Sequence, residues 1–160
     1  MFQPAIYSGK PEEDYPMLRA QLAALIEDEP NLIANLANAS ALLWQGLKEI
    51  NWAGFYLYEA STNQLVLGPF QGLPACVRIP LGRGVCGTAA AERSTQLVPD
   101  VHAFPGHIAC DANSRSEIVI PLIRDGELIG VLDIDSPILN RFSELDRKWL
   151  EDIAGLLMKQ

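Results

Sequence analysis

EIVIPLIRDGELIGVLDID, residues 117–135, is the stretch of sequence that decides the fold. Two apolar runs, Glu117 to Ile123 and Glu127 to Ile134, flank the turn residues Arg124-Asp125-Gly126. Runs of this length that are rich in isoleucine and valine are typical of buried strands, and a turn that contains Asp-Gly is typical of a tight antiparallel hairpin. We therefore expect these two strands to lie at the centre of a sheet.

Patterns on either side of the hairpin predict the remaining elements. The segment that begins at Asn51 alternates, with Trp52 and Tyr56 on one face of a strand and Phe55 on the other. Gly68 to Pro74 predicts a loop. Two N-terminal helices are expected within residues 1–50, at Asp14–Glu29 and Asn31–Leu47. Three short strands are expected at Gln64–Leu67, Ala75–Ile79 and Gln96–Val98. Two later helices are expected, one that ends at Glu92 and one at 143–158 that a capping box opens. With no regular βαβ alternation, this order favours an α+β domain with a mostly antiparallel sheet.

Composition limits the classes of function. The chain has 160 residues, of which 49% are hydrophobic, so it is long enough for one core and short for two. Its formal net charge of −8 and its scattered Lys and Arg argue against a nucleic-acid partner. No apolar run approaches the roughly 18 residues that a membrane span needs, so we expect a cytoplasmic protein without a membrane partner. Three cysteines in a reducing compartment leave metal binding, redox catalysis or inert burial open.

Two motifs suggest other functions. Gly82-x-Gly84-x-x-Gly87 matches the dinucleotide fingerprint, but the helix after it has only about two turns, which is short for a crossover helix. We interpret these glycines as a tight strand-to-helix turn. His107 and Cys110 form an H-x-x-C pair that His102, Cys76 and Cys86 could extend to a zinc site, but no C-x-x-C pair is present. We therefore expect neither a metal nor a cofactor, and the role of the two histidines stays open.

Four longer stretches carry a resemblance. They are Asn51-Trp52-x-Gly54-Phe55-Tyr56, GPFQGLPACVRIPLGRGVCGTAAA at 68–91, FPGHIACDANSRSEIVIP at 104–121, and GVLDIDS at 130–136. Together they resemble the free methionine-(R)-sulfoxide reductases, which are oxidoreductases built on a GAF domain. The resemblance implies a single GAF domain over residues 1–160, with sheet and active-site loops at 51–135 and helices on both faces. It also implies a homodimer, and reduction of free methionine (R)-sulfoxide at the expense of thioredoxin.

The resemblance also implies roles for eight residues. Cys110 would be the attacking thiol, Cys76 the main resolving thiol and Cys86 a secondary one, so that a redox-active disulfide forms in each cycle. The substrate-binding and acid groups would be Glu117, Asp133, Asp135, Trp52 and Tyr56. A different class of function shares this fold, namely a GAF domain that senses a small molecule without catalysis; its ligand affinity would survive loss of every cysteine.

The chemistry of sulfoxide reduction needs such groups. A thiolate attacks the sulfur while an acid protonates the oxygen, which leaves a sulfenic acid on the enzyme. Cys110 lies in a polar loop, which argues against a merely buried thiol. Glu117 is the candidate acid, because clustering with Asp133 and Asp135 disfavours ionising all three carboxyl groups and raises their pKa values. The charge that remains would bind the substrate ammonium, and Trp52 with Tyr56 would form the thioether pocket.

Convergence of the three carboxyl groups depends on the hairpin register. A two-residue loop, Asp125-Gly126, would place Ile118 opposite Asp133 and turn Glu117 to the other face of the sheet. A three-residue loop, Arg124 to Gly126, would place Glu117 opposite Asp133. The expected function predicts the second register, although a bulge at Pro121 would also change the parity.

Overall fold

The computed structural model describes residues 2–108 and 110–160. Its elements, in chain order, are helices and strands with these bounds: α1 Pro11–Ile26, α2 Leu32–Gly46, β1 Trp52–Glu59, β2 Gln64–Gly72, β3 Arg78–Pro80, α3 Gly84–Glu92, β4 Gln96–Val98, a 3-10 turn Val101–Ala103, β5 Ser116–Arg124, β6 Glu127–Ser136 and α4 Glu144–Met158. The capping box that opens α4 is present, with Ser143 accepting from the Asp146 backbone. Among the described residues, no helix is long and apolar enough to cross a membrane.

The six strands form one sheet in the order β3-β2-β1-β6-β5-β4, and all the paired neighbours are antiparallel. Strands β1 and β6 are therefore the central pair, with β5 beside β6. This confirms the predicted α+β class and places the hairpin of residues 117–135 at or next to the sheet centre.

Helices cover both faces of the sheet, as predicted. Helices α1, α2 and α4 pack on one face, where Ala53 and Phe55 of β1 enter a large apolar core. Helix α3 packs on the opposite face, and there Trp52 and Tyr56 of the same strand join a smaller core. The alternation along β1 thus places apolar side chains in both cores. Only the face covered by α3 also carries the polar groups described below.

The hairpin loop has two residues, so the prediction of a three-residue loop is wrong. Arg124 lies opposite Glu127, and Asp125 and Gly126 have φ values of 51° and 78°, which a type I′ turn requires. The pairing then shifts: Ile123 faces Leu128, but Leu122 faces Gly130. The residue between them, Ile129, is an extra residue in β6, and it restores the parity that the two-residue loop would have lost.

The bulge therefore achieves the convergence that the expected function required. Glu117 faces Asp135 and Val119 faces Asp133, so the predicted pairing of Glu117 with Asp133 is wrong, although all three carboxyl groups share one face. Gly130 follows the extra residue, and a Cβ atom there would overlap the carbonyl oxygen of Tyr56 on β1. The close approach of β6 to β1 thus needs a glycine at this position.

Strand β2 is longer than predicted. It continues through Gly68 and Pro69 to Gly72, a segment for which the sequence predicted a loop. Gly54 pairs with Phe70 and Tyr56 with Leu67, which leaves a bulge between them. The bulge accommodates Pro69, whose ring cannot donate to a strand ladder, and this explains why two strand-breaking residues do not end β2.

Candidate active site

The predicted site residues come together in one pocket on the α3 face of the sheet. Its walls are the start of β1, the start of α3, the start of β5, the end of β6, and two loops that precede β3 and β5. Seven of the eight predicted residues line this pocket: Trp52, Tyr56, Cys86, Cys110, Glu117, Asp133 and Asp135. The eighth, Cys76, is covalently joined to Cys110.

A disulfide links Cys76 and Cys110 at the pocket. The two residues are 34 positions apart, and their Cα atoms are separated by 5.5 Å, which is within the usual range for a disulfide. Each cysteine lies in an irregular segment and is partly buried rather than fully enclosed. The two cysteines can therefore exist as a disulfide or, after reduction by two electrons, as two thiols. The bond also uses two sulfurs that the alternative zinc site would have required.

Cys86 is a free thiol that lines the same pocket as Cys110. It lies in the first turn of α3, is 5% exposed, and places its Sγ 4.0 Å from Oε2 of Glu117. Burial raises the pKa of this thiol well above its usual range, and the charges of Asp133 and Glu117 add to the effect. In the disulfide form, Cys86 is thus a protonated thiol in contact with the carboxyl groups.

Glu117, Asp133 and Asp135 form a carboxyl cluster on adjacent strands. Glu117 is 7% exposed and Asp133 is 5% exposed. Burial raises the pKa of Glu117 well above its usual range, and the charges of Asp133 and Asp135 raise it further. Burial likewise raises the pKa of Asp135. For Asp133 burial again raises the pKa, although hydrogen bonds from Glu117 and Cys86 offset part of the effect. The cluster therefore shares protons rather than ionising independently.

One oxygen of this cluster lacks a partner. Oδ1 of Asp133 is buried and accepts no hydrogen bond within the described part of the chain. A buried carboxylate oxygen without a partner is costly and rare, so the position suits a donor or cation brought by a ligand.

Two aromatic rings form the apolar wall of the pocket. Trp52 stacks on Tyr56 with ring centroids 5.8 Å apart, and on Phe70 at 5.1 Å. The indole Nε1–H donates to the carbonyl oxygen of Leu73 at 3.1 Å, which ties the loop of Cys76 to this wall. Burial and the charge of Asp133 raise the pKa of Tyr56, so the phenol remains neutral and can donate its O–H. The wall can therefore hold an apolar group beside polar partners.

Sequence reasoning assigned no role to Asn51, which anchors the loop of Cys110. Its side-chain amide donates to Oδ2 of Asp111 at 3.0 Å and to Oγ of Ser114 at 3.1 Å. Its backbone N–H donates to the carbonyl oxygen of Asp135 at 2.9 Å. Asp111 and Ser114 also line the pocket. These partners are about sixty positions from Asn51, so no local spacing could have revealed the contact.

Arg83 is a second residue that the sequence did not single out. It immediately precedes α3 and contributes a cation to the pocket lining. The neighbouring glycines form the predicted tight turn: Gly82 and Gly84 have positive φ values, and the N–H of Gly82 donates to the carbonyl oxygen of Gly87 at 2.8 Å. Helix α3 has nine residues, which agrees with a turn rather than a dinucleotide crossover.

The two histidines differ in position. His107 lines the pocket and is partly buried, whereas His102 is exposed, and their ring centroids are 6.3 Å apart. Burial lowers the pKa of His107, and the nearby His102 lowers it further. His107 is therefore a neutral imidazole at the mouth of the pocket at neutral pH.

The chain is similar to proteins of known family and structure. It matches the GAF domain family over residues 21–158. Protein YtsP of Bacillus subtilis is 60% identical over 159 residues, which are 99% of this chain and 98% of that protein. The free methionine-R-sulfoxide reductase of Escherichia coli is 55% identical over 147 residues, 92% of this chain and 88% of that enzyme. The structure of free methionine-R-sulfoxide reductase from Neisseria meningitidis in complex with its substrate has a TM-score of 0.90 and 46% identity, and covers 99% and 92% of the two chains.

Proposed function

Since the chain belongs to the GAF-domain family and, within it, to the free methionine-(R)-sulfoxide reductases, we propose that it reduces free L-methionine (R)-sulfoxide to methionine through Cys110, Cys76 and an external dithiol. The observation that carries this proposal is the disulfide between Cys76 and Cys110 at the mouth of a pocket lined by carboxyl groups and aromatic rings. A pocket of this kind combines a redox centre with partners for a cation and for an apolar group.

The first step is attack on the sulfoxide. In the reduced protein, the thiolate of Cys110 attacks the substrate sulfur, and Glu117 gives a proton to the oxygen. The oxygen is transferred from the substrate sulfur to the Cys110 sulfur as the transient bond between the two sulfurs breaks, so that methionine leaves as the thioether and Cys110 becomes a sulfenic acid. The raised pKa of Glu117 supports this role, because the acid must carry a proton when the substrate arrives.

The second step forms the disulfide that the structure contains. The thiol of Cys76 attacks the Cys110 sulfur, and water leaves with the oxygen that came from the substrate. A dithiol such as that of thioredoxin then exchanges with the disulfide and returns both cysteines to the thiol form. One sulfoxide is thus reduced for each dithiol that is oxidised. Cys86 would be the secondary resolving thiol.

The same pocket accounts for recognition of a free amino acid. The α-ammonium would approach the unpartnered Oδ1 of Asp133, with Asp135 beside it, and supply the missing donor. The wall of Trp52 and Tyr56 would hold the methyl and thioether groups. A peptide-bound methionine sulfoxide lacks the ammonium, so the carboxyl cluster would select against it.

A coupled assay of NADPH consumption with thioredoxin and its reductase tests the proposal. We expect turnover of free methionine (R)-sulfoxide, little turnover of the N-acetylated substrate, and none for Cys110→Ser. Adding substrate to the reduced protein without reductant should remove two thiols per chain. Activity of Cys110→Ser equal to that of the wild type, or no loss of thiols, would contradict the proposal.

The proposal also includes a homodimer and a cytoplasmic location, as the resemblance implies. Light scattering coupled to size exclusion at micromolar concentration tests the assembly. A mass of twice 17.5 kDa is expected, and a mass of 17.5 kDa at all concentrations would argue against the dimer.

A further inference from the structure

A second donor set lies in the pocket that Cys110 also lines, and it differs from the zinc site that the sequence suggested. Cys86, Glu117 and Asp133 each place one ligand atom within 4.8 Å of the others, and all three residues are buried. Cys86 keeps its free thiol while Cys76 and Cys110 are joined. This donor set is therefore present in the oxidised protein.

The spacing of Cys86 and Glu117 is close to what a tetrahedrally coordinated cation needs. Zinc bonds of about 2.3 Å to sulfur and about 2.1 Å to oxygen place the two donors roughly 3.6 Å apart. Cys86 Sγ and Glu117 Oε2 are 4.0 Å apart, so a shift of a few tenths of an ångström would bring them to bonding geometry.

An independent feature points to a ligand at this place. Oδ1 of Asp133 is buried without a hydrogen-bond partner among the described residues, in a side chain that is 5% exposed and lines the pocket. One thiolate with two carboxylates suits a borderline-soft divalent cation better than magnesium or calcium, which prefer oxygen alone.

We propose that Cys86, Glu117 and Asp133 form a site for a thiophilic divalent cation of the zinc class. Binding forms one metal–sulfur bond and two metal–oxygen bonds, and it releases to solvent the thiol proton and any protons held by the carboxyl groups. The cation takes the unpartnered oxygen of Asp133. The site therefore excludes the substrate ammonium while the cation is bound; this competition, unlike the metal site itself, rests on the proposed function.

Cobalt(II) binding to the disulfide form of the full chain tests the site. That form has one free thiol, so a thiolate-to-cobalt charge-transfer band in the near ultraviolet reports a bond to Cys86. We expect one cobalt per chain with this band, and its displacement by zinc. Cys86→Ser should abolish the band. Asp133→Asn should weaken cobalt binding at least about tenfold, because loss of even an outer-shell partner weakens metal binding about 10–100-fold.

The histidine pair provides the matched control. His102 and His107 could bind a cation by themselves, so the double variant His102→Ala/His107→Ala should keep the band and its affinity. Absence of the band in the wild type, or cobalt binding that is lost in the histidine variant and unchanged in Cys86→Ser, would overturn the proposal. If cobalt binds as expected but methionine sulfoxide does not weaken its binding, the metal site stands and the competition is rejected. The proposed reductase activity is measured separately and does not affect the band.

Discussion

Glu117, which we propose as the general acid, lines the pocket, and burial raises its pKa well above the usual range of a glutamate. Replacing it with glutamine keeps the size of the side chain but removes the proton that we assign to the sulfoxide oxygen. We expect kcat to fall by about 10²–10⁴-fold, the range for loss of a positioned acid. KM should change little, because the raised pKa keeps Glu117 uncharged over more of the pH range than an ordinary glutamate. Single-turnover thiol loss after mixing with substrate measures the step directly.

The pH dependence separates this role from a structural one. As the pH rises through the raised pKa of Glu117, the wild type loses its acid and its single-turnover rate should fall. Glu117→Gln should lack that fall and keep only the rise that accompanies deprotonation of Cys110. Glu144→Gln provides a control, since that side chain is 81% exposed on α4. An unchanged rate, or an unchanged falling limb, in Glu117→Gln would reject the acid role.

At the scale of the element, the hairpin of β5 and β6 shows what sequence pattern predicts and what it does not. The two apolar runs and the Asp-Gly turn predicted both strands, because alternation and turn chemistry are local properties. The bulge at Ile129 was not predictable from the hairpin alone. It depends on how closely β6 approaches Tyr56 of β1, more than seventy positions away. The prediction that the three carboxyl groups share one face was therefore correct, but it rested on the expected function and not on the pattern of the hairpin.

Gly130 gives a test of this account of the hairpin. In Gly130→Ala, the new methyl group would overlap the backbone carbonyl of Tyr56, so β1 and β6 would have to separate. We expect the free energy of unfolding to fall by about 1–3 kcal/mol, as for other overpacked sites. Urea denaturation of the disulfide form measures it.

A glycine-to-alanine substitution on α4 should change the free energy of unfolding in the opposite direction. Gly155 lies on α4, and a Cβ atom there would meet nothing within 4 Å. Gly155→Ala should stabilise the protein by roughly 0.5–1 kcal/mol, because alanine is the better helix former. Equal effects of the two substitutions would show that the approach of β6 to β1 is not the constraint.

At the scale of the whole molecule, the site is assembled from residues between Asn51 and Asp135 that share no local motif. The fold class, the two-sided sheet and the eight site residues could be named from periodicity and from a resemblance carried by long runs. The Asn51 contacts, the unpartnered oxygen of Asp133 and the contact of Cys86 with Glu117 could not, because each depends on how separate elements pack. Contacts between residues that are far apart in the chain are the features that are hardest to predict from a single sequence.

The buried carboxyl cluster also sets how stability depends on pH. The pKa values of Glu117, Asp133 and Asp135 are raised by burial in the folded protein, so the folded state binds more protons than the unfolded chain. Their contribution to stability is thus fully present below the unfolded values near pH 4, and it is lost as the pH rises through the raised values. Each unit of raised pKa corresponds to about 1.4 kcal/mol lost on complete ionisation.

A triple variant, Glu117→Gln/Asp133→Asn/Asp135→Asn, isolates this effect, because amides of the same shape cannot ionise. We expect its free energy of unfolding to increase relative to that of the wild type as the pH rises from 4 to 8, because only the wild type loses stability by ionisation. Urea denaturation of the wild type and of the variant, both in the disulfide form, provides the measurement across that range. The sign of the change in relative stability with pH shows whether the pKa values are raised, even if the amides change the baseline stability. A difference that stays constant with pH would mean that the three carboxyl groups ionise at ordinary values, and the neutral acid proposed for catalysis would lose its basis. A positive slope would show that ionisation of these carboxyl groups destabilises the fold, a cost that the proposed catalytic and binding roles would explain.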